Sequence, residues 1–128
     1  MLNQLQAQGS ILGAALQSTL LRHSVVTNNI ANAEVPGFTA SRVDFEGALK
    51  QAIGNYPINR SRGEFSLAGF SPTVRLDNTN LTHRLDGNNV DIETEMVKFY
   101  QNSMMFDTMV TSIISNSQRM TTVLQFGR

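Results

Sequence analysis

The sequence predicts a mainly α fold, in which long N- and C-terminal helices pack as a coiled-coil-like pair. Between them lies an irregular middle segment with room for one short β-hairpin. Three observations carry this reading. Residues 1–33 contain no Pro and a single charged side chain, Arg22. Residues 34–89 hold all three prolines and six of the nine glycines. Residues 90–126 contain neither Pro nor Gly and carry five of the six methionines. Gly and Pro punctuate local structure, so the partition reads helix, irregular or mobile middle, helix. At 128 residues the three zones (1–33, 34–89 and 90–128) form one structural domain.

The first helix rests on two sets of positions seven apart. Leu5, Leu12, Thr19 and Val26 form one; Gly9, Leu16, His23 and Ile30 form the other. Thr19 and His23 interrupt the apolar stripe. Gly9 and Gly13 weaken the start, each by ~1 kcal/mol relative to Ala. A secure helix is expected from about residue 10 to 32, with a frayed beginning.

The middle segment lacks long alternating runs. Phe65–Leu67–Gly69 and Thr73–Leu76 are the candidate strands. Asn55-Tyr56-Pro57, Ala68-Gly69-Phe70-Ser71-Pro72 and Asp86-Gly87-Asn88-Asn89 carry turn chemistry.

The last helix has the strongest pattern. Alternate steps of four and three give Ile92, Met96, Phe99, Ser103, Phe106, Val110, Ile113, Ser117, Met120 and Leu124, of which all but the two serines are apolar. This is a coiled-coil seam. Asp91, Glu93 and Glu95 sit where the helix dipole favours negative charge, and Arg119 where it favours positive charge. Gly127 is a natural stop. Such a seam exceeds what a first helix two-thirds its length can cover; another chain is expected to cover the rest, the alternative being that the middle, too polar to offer much apolar cover, folds back over it. Met104, Met105 and Met109 widen it.

Composition narrows the function. Ten basic and ten acidic residues cancel, and charged residues make up only 16%. No basic field exists for nucleic acid. No apolar run approaches the ~20 residues of a membrane span, and no secretory signal is expected at the start. Without Cys there is no disulfide framework or thiolate site. The residue types and their spacing imply no catalytic residue, metal site or cofactor. His23 reads as a buried, hydrogen-bonded seam residue and His83 as solvated, and no zinc-type His pair exists. No phosphate-binding glycine loop or nucleophile elbow appears. Asp91, Glu93 and Glu95 point to different helix faces and do not converge on an ion. Asp86-Gly87-Asn88-Asn89-Val90-Asp91 lacks the terminal bidentate Glu of a calcium loop.

The most specific segment runs from Val26 to Phe38. Asn32 suits a helix end because Asn tolerates left-handed angles. Pro36 pushes Val35 toward extended geometry, Gly37 supplies the positive φ of a type II turn, and Phe38 offers an aromatic anchor. Asn28, Asn29, Ile30, Ala31, Asn32, Ala33, Pro36 and Gly37, with Phe38 for a Tyr, closely resemble the N-terminal signature of the bacterial flagellar axial proteins. These are the rod, hook and hook-associated proteins. Glu34 and Val35 depart from that signature but leave the turn intact. The chain is short. Arg42–Leu49 after the turn and Asp86–Met96 leading into the last helix resemble the proximal-rod members.

This resemblance implies a structural subunit of the periplasmic rod of the flagellar basal body, assembling helically to transmit torque. The implied partners are other copies of itself, other rod proteins, the ring/rod junction protein and, during secretion without a cleaved signal, the flagellar type III export apparatus. The assembly contacts would come from Leu12, Leu16, Val26 and Ile30 on the first helix. Ile92, Met96, Phe99, Phe106, Val110, Ile113, Met120 and Leu124 would supply them on the last. A neighbouring proximal-rod role, a helix-binding adaptor or chaperone-like module, and a small hydrolase using His23 are the competing readings.

Overall fold

The structure is a computed structural model that describes residues 2–54, 70–78 and 84–126. Helix α1 spans Leu2–Ala31, strand β1 Ser41–Asp44, helix α2 Phe45–Gly54, strand β2 Thr73–Leu76 and helix α3 Ile92–Phe126. The candidate strand at Phe65–Gly69, the Asn55-Tyr56-Pro57 turn, His83 and the stop at Gly127 lie outside the described residues.

Helices α1 and α3 run antiparallel. Asn29 meets Glu95, His23 meets Phe99, and Asn102 bonds to the backbone of Thr19. Further along, Gly9 lies beside Asn116. The expected mismatch in length is not observed. α1 has 30 residues against 35 in α3, and its helix begins at Leu2 rather than near residue 10. The reason is tertiary, since α3 lies alongside and stabilises turns that Gly9 and Gly13 alone would weaken.

The contact face of α3 also differs from the expected seam. Its buried residues are Glu95 and Asn102, seven apart. At a coiled-coil period, Phe99, Phe106, Ile113 and Met120 lie roughly 50° around the helix from that line, and Met96, Val110 and Leu124 roughly 100°. The apolar stripe therefore flanks the α1 contact instead of centring on it. On α1 the enclosed residues are Ser18, Thr19, Val25, Val26 and Asn29. Small side chains bring the two backbones close, which lets Asn102 Nδ2 reach the Thr19 carbonyl at 3.0 Å. Ser18 and Thr19 satisfy their own hydroxyls on the carbonyls of Ala14 and Ala15.

The middle segment holds more structure than its composition suggests. β1 pairs antiparallel with β2, Ser41 opposite Leu76 and Asp44 opposite Thr73. The strand at Thr73–Leu76 is present, but its partner is Ser41–Asp44, about thirty residues away in the chain and without a strand signal of its own. Helix α2 is likewise absent from the sequence-based expectation. Asp44 caps it, accepting the Gly47 N–H at 2.9 Å. Phe45, Ala48 and Leu49 then share one face. A Cβ at Gly47 would stand 2.6 Å from Asp44 Oδ2, so a larger residue there would displace the capping carboxylate. Phe45 packs edge-on against Phe70, and Asp44 also pairs with Arg75 at 3.4 Å.

Asp91 caps α3. Its carboxylate accepts from the Thr94 hydroxyl at 2.6 Å and from the Glu93 N–H at 3.1 Å. The Thr94 hydroxyl and N–H, helped by the Glu93 N–H and the positive charge of Lys98, hold the Asp91 carboxyl below its ordinary 3.8. A depressed carboxyl stabilises the fold above its unfolded value and loses that contribution as pH falls through the lowered one. Asp91→Ala should speed hydrogen exchange at the Glu93 and Thr94 amides at neutral pH. The native protection there should fade as pH drops below 3.8, with the Asn102 region unaffected.

Candidate functional site

The functional site is built where α1 ends. The α1 backbone closes with the Asn32 and Ala33 N–H groups bonded to carbonyls of residues 28–30. Asn32 does not adopt the left-handed conformation; among the described residues only Gly37 and Gly87 have positive φ. Its side chain instead turns back to the Asn28 carbonyl at 2.7 Å. Pro36 and Gly37 then form the turn. Gly37 has φ 72°, and the Phe38 N–H returns to the Val35 carbonyl at 3.2 Å. This is the type II arrangement. Ala33, Ala40 and Val90 form a small buried cluster, with Phe38 packed against it.

Buried amides hold this turn in place. Asn88 is fully enclosed, and its Nδ2 donates toward the carbonyls of Asn32, Ala33 and Val35 at 2.8–3.0 Å. Its Oδ1 accepts the Val90 N–H at 2.8 Å. Arg84 Nη1 adds a bond to the Ala33 carbonyl, and the Gly37 N–H donates to the Asp86 carbonyl at 2.8 Å. Asn89 bridges the end of the sheet: its Oδ1 accepts the Ala40 N–H and its Nδ2 donates to the Asp77 carbonyl. The Ala33 carbonyl just beyond the helix end is thus satisfied by the 84–90 loop alone, and the Asn32 and Val35 carbonyls gain a second donor from it.

Asn29 makes the corresponding link to the helices. Its amide takes both the N–H and the C=O of Ser41, at 2.9 and 2.8 Å, as a neighbouring strand would. The same Nδ2 donates to Glu95 Oε2 at 2.9 Å. Glu95 is buried and pairs with Lys98 Nζ at 2.6 Å. Lys98 and Arg42 both lie 4.0 Å from Asp77. The chain Asn29–Glu95–Lys98–Asp77–Arg42 therefore ties α1, α3 and the β1–β2 sheet together. Glu95 lies in the first turn of α3 with Glu93, as expected, but it is buried and also serves as the bridge between Asn29 and Lys98.

The remaining site residues spread over the surface. Asn28, Ala31, Pro36 and Gly37 are exposed, while Ile30, Asn32 and Phe38 are half-buried. On the helices, Leu12, Leu16, Phe99, Phe106, Val110, Ile113 and Met120 are half-buried, and Ile92, Met96 and Leu124 are exposed. Val26, at 4% exposure, is enclosed within the chain and cannot offer its surface to a neighbour. His23 is exposed, not a buried seam residue. Its ring rests on Phe99 with centroids 4.7 Å apart, and among the described residues no carboxylate or hydroxyl is bonded to it. Among the described residues no group of three or more His, Cys, Asp or Glu side chains could hold a metal ion. Sequence reasoning missed Asn88, Asn89, Glu95 and Asn102 as fixtures of the site. One signal was available, because Glu95, Asn102 and Asn116 recur at multiples of seven beside the apolar seam.

The Asn88 geometry yields a sharp test. Asn88→Asp keeps the shape but sets a carboxylate against three carbonyl oxygens. Asn88→Ala removes one donor from each of those carbonyls and leaves the buried Val90 N–H without its acceptor, at about 1–3 kcal/mol for the unpaired group. Both variants should lower the melting temperature, and the near-isosteric Asp should be at least as damaging as Ala. An Asp variant that melts like the native chain would refute the donor assignment.

Comparison with known proteins agrees with this geometry. The family model for flagella basal body rod proteins matches residues 10–39, which cover most of α1 and the whole turn. The flagellar basal body rod protein FlgB of Borrelia hermsii is 39% identical, over 67% of this chain and 72% of its own length. FlgB of Yersinia enterocolitica is 30% identical over 99% of this chain and 100% of its own. FlgB of Bacillus subtilis is 27% identical over 89% and 90%. Likeness that extends from the turn through both helices, at these identities and nearly full length, shows that the chain belongs to the FlgB family of structural rod proteins of the flagellar basal body.

Proposed function

We propose that this chain is a non-enzymatic subunit of the proximal, periplasmic rod, packing helically with other copies of itself and with other rod proteins to transmit torque. The ring/rod junction protein would meet the same assembly, and the flagellar type III export apparatus would deliver the chain. The observation that supports this reading is the displaced apolar stripe of α3. Within one chain, α1 engages the polar line through Glu95 and Asn102. Ile92, Met96, Val97, Tyr100, Met104, Ile114 and Leu124 stay exposed, Met104 to 71% and Tyr100 to 60%. An apolar stripe that its partner helix leaves open needs cover from a further surface. One partner helix cannot provide it. The polar chemistry of the turn sets the geometry of the pair, and the mechanism is many-subunit packing with no turnover.

Burying a large apolar side chain contributes about 1.5–3 kcal/mol. Met96→Asp and Leu124→Asp place charge on that face where it is open in the single chain. Each should abolish rod formation and motility while leaving cellular level and helix content by circular dichroism unchanged. Phe106→Asp should do the same with some loss of monomer stability, since Phe106 is half-buried. Normal motility in Met96→Asp and Leu124→Asp together would reject this face as an assembly surface.

A further inference from the structure

The two ends of the helix pair carry complementary features that the single chain leaves unused. At one end stands the stapled turn. Glu34 and Pro36 are exposed there, Val35 is 46% exposed, and Leu85 on the adjoining loop projects fully into solvent. The bonds of Asn88, Arg84 and Gly37 hold this tip in one shape. Near the other end, α1 and α3 border an open groove of about 430 Å³, lined by Ile11 and Leu12 on one side and by Thr111, Ser112, Ser115, Asn116 and Arg119 on the other. Ile11 is 42% exposed, and Arg119 is exposed. Among the described residues neither Glu34 nor Arg119 forms an ion pair.

We infer that the tip of one copy, with Glu34, Val35 and Leu85, docks head-to-tail into the groove of a second copy, where Glu34 meets Arg119. Three physical points select this occupant. The tip presents Val35 and Leu85 beside a carboxylate unpaired among the described residues, and the groove presents Ile11 and Leu12 beside one such guanidinium, so apolar can meet apolar and charge meet charge. A two-fold contact of tip on tip would set Glu34 against Glu34, and groove on groove would oppose the two Arg119 charges. Finally, tip and groove are different surfaces, about 30 Å apart at 1.5 Å per helical residue. Such a heterologous contact does not close on itself and propagates as a helix. An ion pair at the rim sets register and partner choice more than affinity. The inference rests on the rod reading above and specifies which surfaces one copy offers the next.

A charge-swap experiment tests it. In a strain lacking the native chain, Glu34→Arg and Arg119→Glu should each reduce the swarming rate at least five-fold at unchanged protein level. The double variant E34R/R119E rebuilds the pair with reversed charge between identical copies and should recover at least half of the native rate. Because the chain has no cysteine, mixed Glu34→Cys and Arg119→Cys chains should also form a disulfide-linked heterodimer in excess of either homodimer. Single variants that swarm normally, a double variant no better than the worse single, or cross-linking of the Glu34→Cys chain to a different protein in basal bodies would each overturn the proposal. Immunoblots of native basal bodies separate the two levels. If the chain is present, the rod reading stands whatever the swap shows; if it is absent, that reading falls by itself.

Discussion

Everything in this fold depends on keeping buried amides satisfied at the end of α1. Asn88, Asn29 and Asn89 are each enclosed, and together their carboxamides bond to backbone groups from residues 32, 33, 35, 40, 41, 77 and 90. A carboxamide offers two donor hydrogens and an acceptor oxygen with two lone pairs, so one side chain can join several strands of backbone. An apolar residue of equal size would leave most of those groups unpaired in a dry site. The turn after α1, the start of α3 and the β1–β2 pair are therefore not three elements resting on a hydrophobic core. They are joined by polar bonds, around a cluster no larger than Ala33, Ala40 and Val90 with Phe38 beside it.

This arrangement separates two tasks that usually share one core. Polar bonding sets the internal geometry of the chain, through Asn29 to Glu95 and from Glu95 to Lys98 and Asp77. Apolar surface is largely reserved for the outside, along α3 from Ile92 to Leu124. Bonds between fixed polar partners tolerate little change in register, so the pair of helices has a defined crossing before any neighbour arrives. Apolar contact is non-directional and is the dominant favourable term in association. A rod-family subunit that assembles with other basal-body components gains from having its geometry decided internally and apolar surface left open.

The displaced seam shows where pattern reading reaches its limit. Helical periodicity identifies the apolar residues of α3 correctly. It cannot say which of several faces meets α1, because the answer depends on Glu95 finding Asn29 across 66 residues of chain. Alone, Glu95 has every feature of a helix-start charge. His23 fails in the same way: its place in the α1 heptad suggests burial, but the rotation of the pair leaves it exposed against Phe99. The pairing of β1 with β2 was hidden because both are only four residues long, and β2 is exposed along its whole length. Short exposed strands have almost no alternation to read.

By itself, the sequence determined the two terminal helices, the Pro36-Gly37 turn with its positive-φ glycine, the poverty of charge and the excess of apolar surface on the last helix. These are local properties of backbone stereochemistry and residue spacing, so they survive without knowledge of partners. The tertiary structure alone decided which face of α3 meets α1, which strand pairs with Thr73–Leu76, and why Asn29, Asn88 and Glu95 are needed. Each of those outcomes is a choice among hydrogen-bond partners far apart in the chain. A polar side chain is compatible with a turn, a cap or a buried bridge, and only the group placed opposite it selects among them.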